Sequence, residues 1–160
     1  MDRIFRIVAL ILLAVVSVNA QSGEPEEPAK KANARTTPAT VVAEPFDGAS
    51  VEKMASQCVT LETELGAIDI AFMPEVAPEA VRNFLNLSAT GALDTTTFSR
   101  TVKNFVIQGG NLQTSEKWSA ELAKRMTRKL PDEIGLVKHV RGIVSMARTD
   151  EPNSATTHFF

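Results

Sequence analysis

Short apolar runs broken by glycine and proline are the feature of this sequence that most restricts its fold. Residues 59–65 alternate apolar and polar side chains, and the alternation resumes over residues 68–72 after Gly66. A period of two on both sides of a glycine-containing turn is typical of a β-hairpin with one buried face. Later runs predict further strands at residues 95–101, 105–108, 134–144 and 144–147. The pattern therefore predicts a mainly β fold, either a sandwich or a barrel.

One segment, residues 78–89, has helical spacing instead. Pro78 suits the first helical position, Glu79 suits the positive end of the helix dipole, and Gly91 is a natural stop. We predict an amphipathic helix that covers the sheet. Asn86, within this segment, begins a glycosylation sequon. Because we predict a helix here, we give this candidate modification site little weight. Residues 112–128 are polar and predict a loop with at most one helical turn.

The amino-terminal residues predict an exported protein. Arg3 and Arg6 precede an apolar run of 12 residues at 7–18, and small residues allow cleavage before Gln21. The run is shorter than the roughly 20 residues of a membrane span, so we expect no stable span after cleavage. Residues 1–20 are thus a signal peptide, and the product lies in the periplasm or is secreted.

The segment that follows, residues 21–56, predicts a disordered linker. It holds four of the eight prolines and shows neither a two-residue nor a helical apolar period. The folded domain is expected over residues 57–160.

Charge and cysteine content argue against several classes of partner and site. The formal charge is −2 and no basic block is present, so a nucleic-acid partner is not expected. The lone Cys58 cannot form an intrachain disulfide, and at the start of a strand it is interpreted as a small apolar residue rather than a reactive thiol. No cluster with metal-ligand spacing occurs, so we expect no metal or cofactor. We expect a monomer.

The stretch 98–110 carries the candidate chemistry. Arg100 lies beside an apolar run that leads to Gln108 and the pair Gly109-Gly110. No nucleophile–base pair, paired carboxylates or phosphate loop accompanies them, so cutting or transferring a bond is not expected. Rotation about an X-Pro amide needs no covalent step, and its barrier of roughly 18–20 kcal/mol comes from C–N double-bond character. A donor aimed at the imide nitrogen favours the twisted transition state.

These residues resemble the substrate-binding strand of cyclophilins, F-H-R-V-I-x-x-F-x-I-Q-G-G. Residues 142–160 are similar to a second cyclophilin block in its bacterial form, G-x-[LIV]-[SA]-M-A-R-x-x-x-P-x-S-A-T-x-Q-F-F. The resemblance implies an eight-stranded antiparallel β-barrel capped by helices, with a peptide groove on its outer face. It implies a peptidyl-prolyl cis-trans isomerase that acts on X-Pro bonds of exported proteins as they fold. The partners would be proline-containing polypeptides.

The resemblance also implies roles for individual residues. Arg100 matches the catalytic donor to the prolyl imide; the alternative is a surface arginine paired with an acid. The implied substrate-binding residues are Phe105, Val106, Gln108, Ala147, His158 and Phe160. Ala147 would accept backbone hydrogen bonds from an extended peptide, and Phe160 would form the pocket floor. For Phe105, Val106 and Phe160 plain core packing is the alternative.

Several positions depart from the cyclophilin pattern. Ser99 replaces a histidine, Lys103-Asn104 replaces Pro-Gly, and His158 replaces a glutamine. The sequence ends at Phe160, before the remaining strands and the tryptophan, leucine and histidine of the proline pocket. An incomplete barrel is therefore expected, poorly folded, aggregation-prone and nearly inactive. The alternatives to an isomerase are a non-catalytic module or chaperone that binds proline peptides and an inactive truncated remnant.

Overall fold

The computed structural model describes residues 43–160, and the signal peptide and residues 21–42 of the predicted linker lie outside the described residues. Three α-helices, one 3₁₀ helix and four strands are found there, in the order α1 (Val51–Ala55), β1 (Cys58–Thr63), β2 (Gly66–Ala71), α2 (Pro78–Ala89), β3 (Arg100–Val102), β4 (Val106–Gln108), the 3₁₀ helix (Leu112–Thr114) and α3 (Ala120–Met126). None of these helices is long and apolar enough to cross a membrane.

The predicted hairpin is confirmed. Strands β1 and β2 pair antiparallel from Cys58 opposite Ala71 to Thr63 opposite Gly66. Every second residue of β1 is turned inward, as the alternation required. Gly66 has a φ of +126°, which only glycine adopts readily, so it fixes the turn. Leu65, the last apolar residue of the alternating run 59–65, lies in this turn and is fully exposed.

Helix α2 has the predicted bounds and is the centre of the packing. Its Val81 and Leu85 contact Met54 of α1, and its Phe84 contacts Ile70 of β2. A fourth side chain, Leu87, packs on Ala92 and Leu112. Because α2 is buried against three clusters, it carries more of the core than a simple cover would. Asn86 of the sequon is fully buried, so a glycan cannot be attached to it in the folded domain.

The amino-terminal end of α2 is capped from a distant segment. Ala77 precedes the helix and has no side-chain acceptor for the free N–H groups. The carboxylate of Glu133 supplies one, since its two oxygens accept from the N–H groups of Glu79 and Ala80 at 2.8 Å each. A carboxylate at this end also suits the helix dipole. The contact ties the chain after Leu130 to the helix.

The predicted linker is wrong over residues 43–56. These residues form a turn and helix α1, and Met54 is fully buried. The side chain of Asn86 in α2 holds the turn, accepting from the N–H of Phe46 at 2.7 Å and donating to Asp47 at 3.0 Å. The segment has too few apolar residues for a periodic pattern. Its order comes from contacts about 40 residues away in sequence, which composition does not reveal.

Residues 112–128 contain more helix than predicted. The 3₁₀ helix is followed by α3, whose N-cap Ser119 accepts from the N–H of Leu122. Arg125 of α3 donates to Glu44 at 2.6 Å and to the buried Asn83 of α2 at 2.7 Å. These bonds connect α3 with α2 and with the segment that was assigned to the linker.

Three predicted strands are shorter or absent. Residues 95–99 are not in a strand, and β3 begins only at Arg100. Residues 134–144 carry no strand in the described part of the chain, and Ile134 and Leu136 are 88% and 101% exposed. Residues 144–147 contribute a single bridge at Met146. A β-rich run becomes a strand only where another backbone pairs with it, and local sequence does not state that partner.

Phe159 joins the segment that follows β4 to the segment around Met146. Its backbone bridges Gly109 on one side and Met146 on the other, both antiparallel. Its side chain points into the core, 5.1 Å from Phe84 and 6.2 Å from Phe98 between ring centroids. The close approach explains the double glycine, because a Cβ on Gly110 would collide with the carbonyl oxygen of Thr157.

Candidate functional site

An open pocket of about 410 Å³ lies where β3, β4 and the last residues of the chain meet. Six of the seven predicted site residues line it: Arg100, Phe105, Val106, Gln108, Ala147 and Phe160. They come from three segments that are far apart in sequence, and the backbone bridges of Phe159 bring those segments together.

The β3–β4 hairpin places the two polar groups side by side. Its register sets Arg100 directly opposite Gln108, and Nη1 of the arginine donates to Oε1 of the glutamine at 3.2 Å. No carboxylate within residues 43–160 lies within ion-pair distance of Arg100. The alternative of a surface arginine held by an acid therefore has no support there. A guanidinium has five N–H donors, so most remain available to a ligand.

The turn between β3 and β4 presents the apolar wall. Asn104 has a φ of +61°, a conformation that asparagine tolerates better than most residues, and the N–H of Phe105 closes the turn on the carbonyl of Val102 at 3.0 Å. The sequence departure at Lys103-Asn104 thus still makes a closed turn. Phe105 is 72% exposed, so core packing does not explain it.

Strand alternation turns Phe160 toward the pocket. Phe160 and Ser145 exchange both backbone hydrogen bonds, at 2.9 and 3.0 Å, and this pairing holds the residue in extended geometry. Since neighbouring side chains of an extended segment point to opposite faces, the inward turn of Phe159 sends Phe160 outward. The half-buried ring forms part of the pocket lining.

Ala147 forms the other rim with its backbone. Its N–H donates to the carbonyl of His158 at 2.8 Å, which fixes the rim against the end of the chain. No hydrogen bond from the described residues reaches its carbonyl oxygen, which is therefore free to accept one from a peptide.

His158 is the predicted site residue that the structure does not bring to the pocket. It contacts Ala147 through its backbone carbonyl, and its side chain is not among the lining groups. Partial burial lowers the pKa of His158 below its ordinary 6.5, because the charged imidazolium loses hydration there.

This lowered pKa predicts a pH-dependent stability. Between pH 6.5 and the folded-state pKa, the unfolded chain binds more protons than the folded one, so the free energy of unfolding falls as pH falls through this range. We expect the melting temperature to drop between pH 7.5 and pH 5, and the variant His158→Gln to show a shallower drop. Thermal melts followed by circular dichroism at several pH values measure both slopes. Identical slopes in the two proteins would contradict the prediction.

The structure adds five lining residues that the sequence did not assign to the site: His139, Met146, Arg148, Thr149 and Asp150. Four of them lie next to Ala147 in the second cyclophilin-like block, residues 142–160. Their nearness in sequence to this predicted site residue is the feature that could have identified them. His139 comes from the strandless segment 134–144 and stands edge-on to Phe160, with ring centroids 5.5 Å apart. Nothing local in the sequence marked His139 as a site residue.

The chemistry of the lining is that of a peptide site. Aromatic and aliphatic side chains form one wall, Arg100 and Gln108 supply oriented polar groups, and a free backbone carbonyl forms a rim. Residues 43–160 contain no group of three or more histidine, cysteine, aspartate or glutamate side chains that could hold a metal ion. An arrangement of this kind can orient an extended peptide and place a donor near one of its amides.

Comparison with known proteins agrees with this geometry. The family model described as cyclophilin type peptidyl-prolyl cis-trans isomerase matches residues 58–160. The chain is 37% identical to the peptidyl-prolyl cis-trans isomerase CYP23 of Arabidopsis thaliana, over 67% of this chain and 48% of that protein. It is 39% identical to peptidyl-prolyl cis-trans isomerase B of Escherichia coli, over 64% of this chain and 60% of that protein. The chain thus spans about half to three fifths of these relatives.

A solved structure shares the fold. It is a cyclophilin type peptidyl-prolyl cis-trans isomerase of Cryptosporidium parvum, crystallised in the presence of the dipeptide Ala-Pro. It matches with a TM-score of 0.54 and 34% identity, over 64% of this chain and 65% of that one. The predicted fold class, a mainly β, cyclophilin-like antiparallel structure with a capping helix, is confirmed by this likeness. The incomplete β-barrel stays a prediction.

Proposed function

The chain belongs to the cyclophilin-type peptidyl-prolyl cis-trans isomerase family, and on that premise we propose that its pocket accelerates rotation about X-Pro bonds. The observation that carries the proposal is the position of Arg100, whose guanidinium has no ion-pair partner within residues 43–160 and borders the same pocket as Phe105 and Phe160. The substrates would be proline-containing segments of unfolded polypeptides.

In the proposed mechanism the apolar wall binds the proline ring. Phe105, Val106 and Phe160 remove the ring from water, and burial of apolar surface favours this without directing it. The wall binds both planar isomers alike, so it contributes affinity rather than rate. Its task is to hold the imide bond within reach of Arg100.

Arg100 would stabilise the twisted transition state more than either planar ground state. As the C–N bond twists, resonance is lost and the imide nitrogen becomes a hydrogen-bond acceptor, which it is not when planar. A donor placed there stabilises only the twisted form and lowers the barrier. The 3.2 Å hydrogen bond to Gln108 orients the guanidinium of this pocket-lining residue.

The rim at Ala147 would position the rest of the peptide. Its carbonyl accepts a backbone N–H from an extended chain, in the manner of a short added strand. Two anchors, the proline ring in the wall and the backbone on the rim, fix the peptide on both sides of the rotating bond.

Exchange spectroscopy by NMR tests the proposal. A capped peptide with one Ala-Pro bond isomerises in roughly 10–100 s without a catalyst. We expect the purified chain to speed exchange between the cis and trans peaks in proportion to its concentration. Absence of any acceleration at protein concentrations that shift the peptide resonances would reject catalysis.

A binding module without catalysis is the second candidate. Its support is the openness of the wall, since Phe105 is 72% exposed and gives the proline ring only partial enclosure. In the NMR experiment this candidate predicts shifted peptide resonances with no faster exchange between the isomers.

We also propose that residues 1–20 direct export to the periplasm or beyond, which the two arginines and the apolar run of the leader support. A reporter fused after residue 25 is expected to be exported and cleaved, and an uncleaved cytoplasmic fusion would reject this.

We propose further that the two β-sheets, β1–β2 and β3–β4, belong to one antiparallel barrel and that the protein is a monomer. Sedimentation velocity tests the latter.

A further inference from the structure

We propose that the pocket prefers an acidic side chain immediately beside the proline, and that Arg148 selects it. The inference rests on the proposed function, because it assumes that a proline peptide occupies this pocket. It concerns a second cation of the lining, separate from Arg100 and on a different segment of the chain.

Arg148 is held by one neutral hydrogen bond and one long ion pair. Its Nη1 donates to the backbone carbonyl of Thr149 at 2.9 Å, which restricts the side chain. Its nearest carboxylate, that of Asp132, stands 3.8 Å from Nε. This is about 1 Å longer than a charge-assisted hydrogen bond. Nη2 has no hydrogen-bond partner in the described part of the chain.

The charges around the pocket favour an anion. Its lining contains two guanidinium groups, Arg100 and Arg148, against one carboxylate, Asp150, with His139 as a further titratable group. The charged groups of the lining alone sum to +1, with Asp132 beside Arg148 but outside the lining, whereas the whole chain has a formal charge of −2. In the proposed mechanism Arg100 serves the imide nitrogen. Arg148 is then the cation that remains for a neighbouring side chain.

The expected selectivity is modest, because Arg148 has a side chain 44% exposed and water screens it. An exposed ion pair changes an equilibrium constant by a factor of about 1.5 to 5. Attraction of a glutamate and repulsion of a lysine act in the same direction. The ratio of dissociation constants between the two peptides should therefore be about 3 to 10 at low salt. It should shrink as salt rises, since the groups are solvent-accessible.

Capped peptides provide the test. One series carries Glu, Gln or Lys directly before proline and a second carries the same residues directly after it. Dissociation constants and cis–trans exchange rates are measured by NMR in the same samples, at about 20 mM and 150 mM salt. The variants are Arg148→Gln, Asp150→Asn and Arg141→Gln. The last has an identical charge change at an exposed arginine that does not line the pocket.

The wild-type protein is expected to bind the Glu peptide more tightly than the Lys peptide in at least one series. Arg148→Gln should bring the two within twofold, Asp150→Asn should widen the ratio, and Arg141→Gln should leave it unchanged. Equal binding of all peptides by the wild type overturns the inference, as does an equal effect of Arg141→Gln.

The two measurements separate this inference from the proposed function. Selective binding without accelerated exchange would reject isomerase activity and leave the preference standing. Accelerated exchange without selective binding would support isomerase activity and reject the preference for an acidic side chain. If no peptide binds at any concentration, both proposals are rejected.

Discussion

The variant Arg100→Ala is expected to lower kcat/KM for prolyl isomerisation by about 10²- to 10³-fold, the usual cost of removing one donor that acts in the transition state. The loss should fall on kcat, because the apolar wall that binds the proline ring is intact. Arg100→Lys keeps the charge but replaces the planar fork with a single ammonium, and we expect only partial recovery. Exchange NMR at saturating peptide separates kcat from binding.

Two controls accompany this prediction. Arg100 is exposed and forms no ion pair within the described residues, so Arg100→Ala should keep the wild-type thermal transition. Arg141→Ala makes the same substitution outside the pocket and should leave activity unchanged. If Arg100→Ala retains wild-type kcat, the proposed donor role is wrong, whatever the protein binds.

The variant Phe159→Ala is expected to remove a large part of the stability of the domain. Phe159 is 6% exposed and packs against Phe84 and Phe98, so truncation leaves a cavity among aromatic rings. Burying such a ring contributes about 3–5 kcal/mol, against a total stability of about 5–15 kcal/mol for a typical domain. The melting temperature should fall by about 15 °C or more. Thermal melts and urea titrations both measure this change.

Phe105→Ala is the matched control for the core variant. The same side chain is removed, but Phe105 is 72% exposed and makes the pocket wall instead of the core. It should change stability little and weaken peptide binding. Equal destabilisation by the two variants would contradict the assignment of Phe159 to the core and Phe105 to the pocket.

The local elements of this protein were predicted where short-range physics decides them. The β1–β2 hairpin follows from side-chain alternation around Gly66, and α2 follows from Pro78, Glu79 and the apolar spacing behind them. Apart from the Glu133 cap of α2, both elements find their backbone hydrogen-bond partners within 13 residues, so a short window of sequence contains the necessary information.

Elements that depend on distant partners were missed. Residues 43–56 have a composition typical of a linker, yet the buried amide of Asn86 and the aliphatic face of α2 order them. Residues 134–144 have a β-rich composition, yet no described residue pairs with their backbone as a strand. In both cases the deciding contact is with a residue that the local pattern does not identify.

By itself the sequence determined the hairpin, α2 and the residues that make a cyclophilin-like site, because periodicity and motif spacing are properties of the linear chain. Only the tertiary structure decided which side chains share the pocket. The bridges of Phe159 bring Phe160 into the pocket lining with His139 and Arg148, whereas the side chain of His158, which alternation puts on the same face as Phe160, does not line the pocket. The physical reason is that backbone pairing between remote segments sets which face each side chain takes, and a single-residue change of register would reverse it.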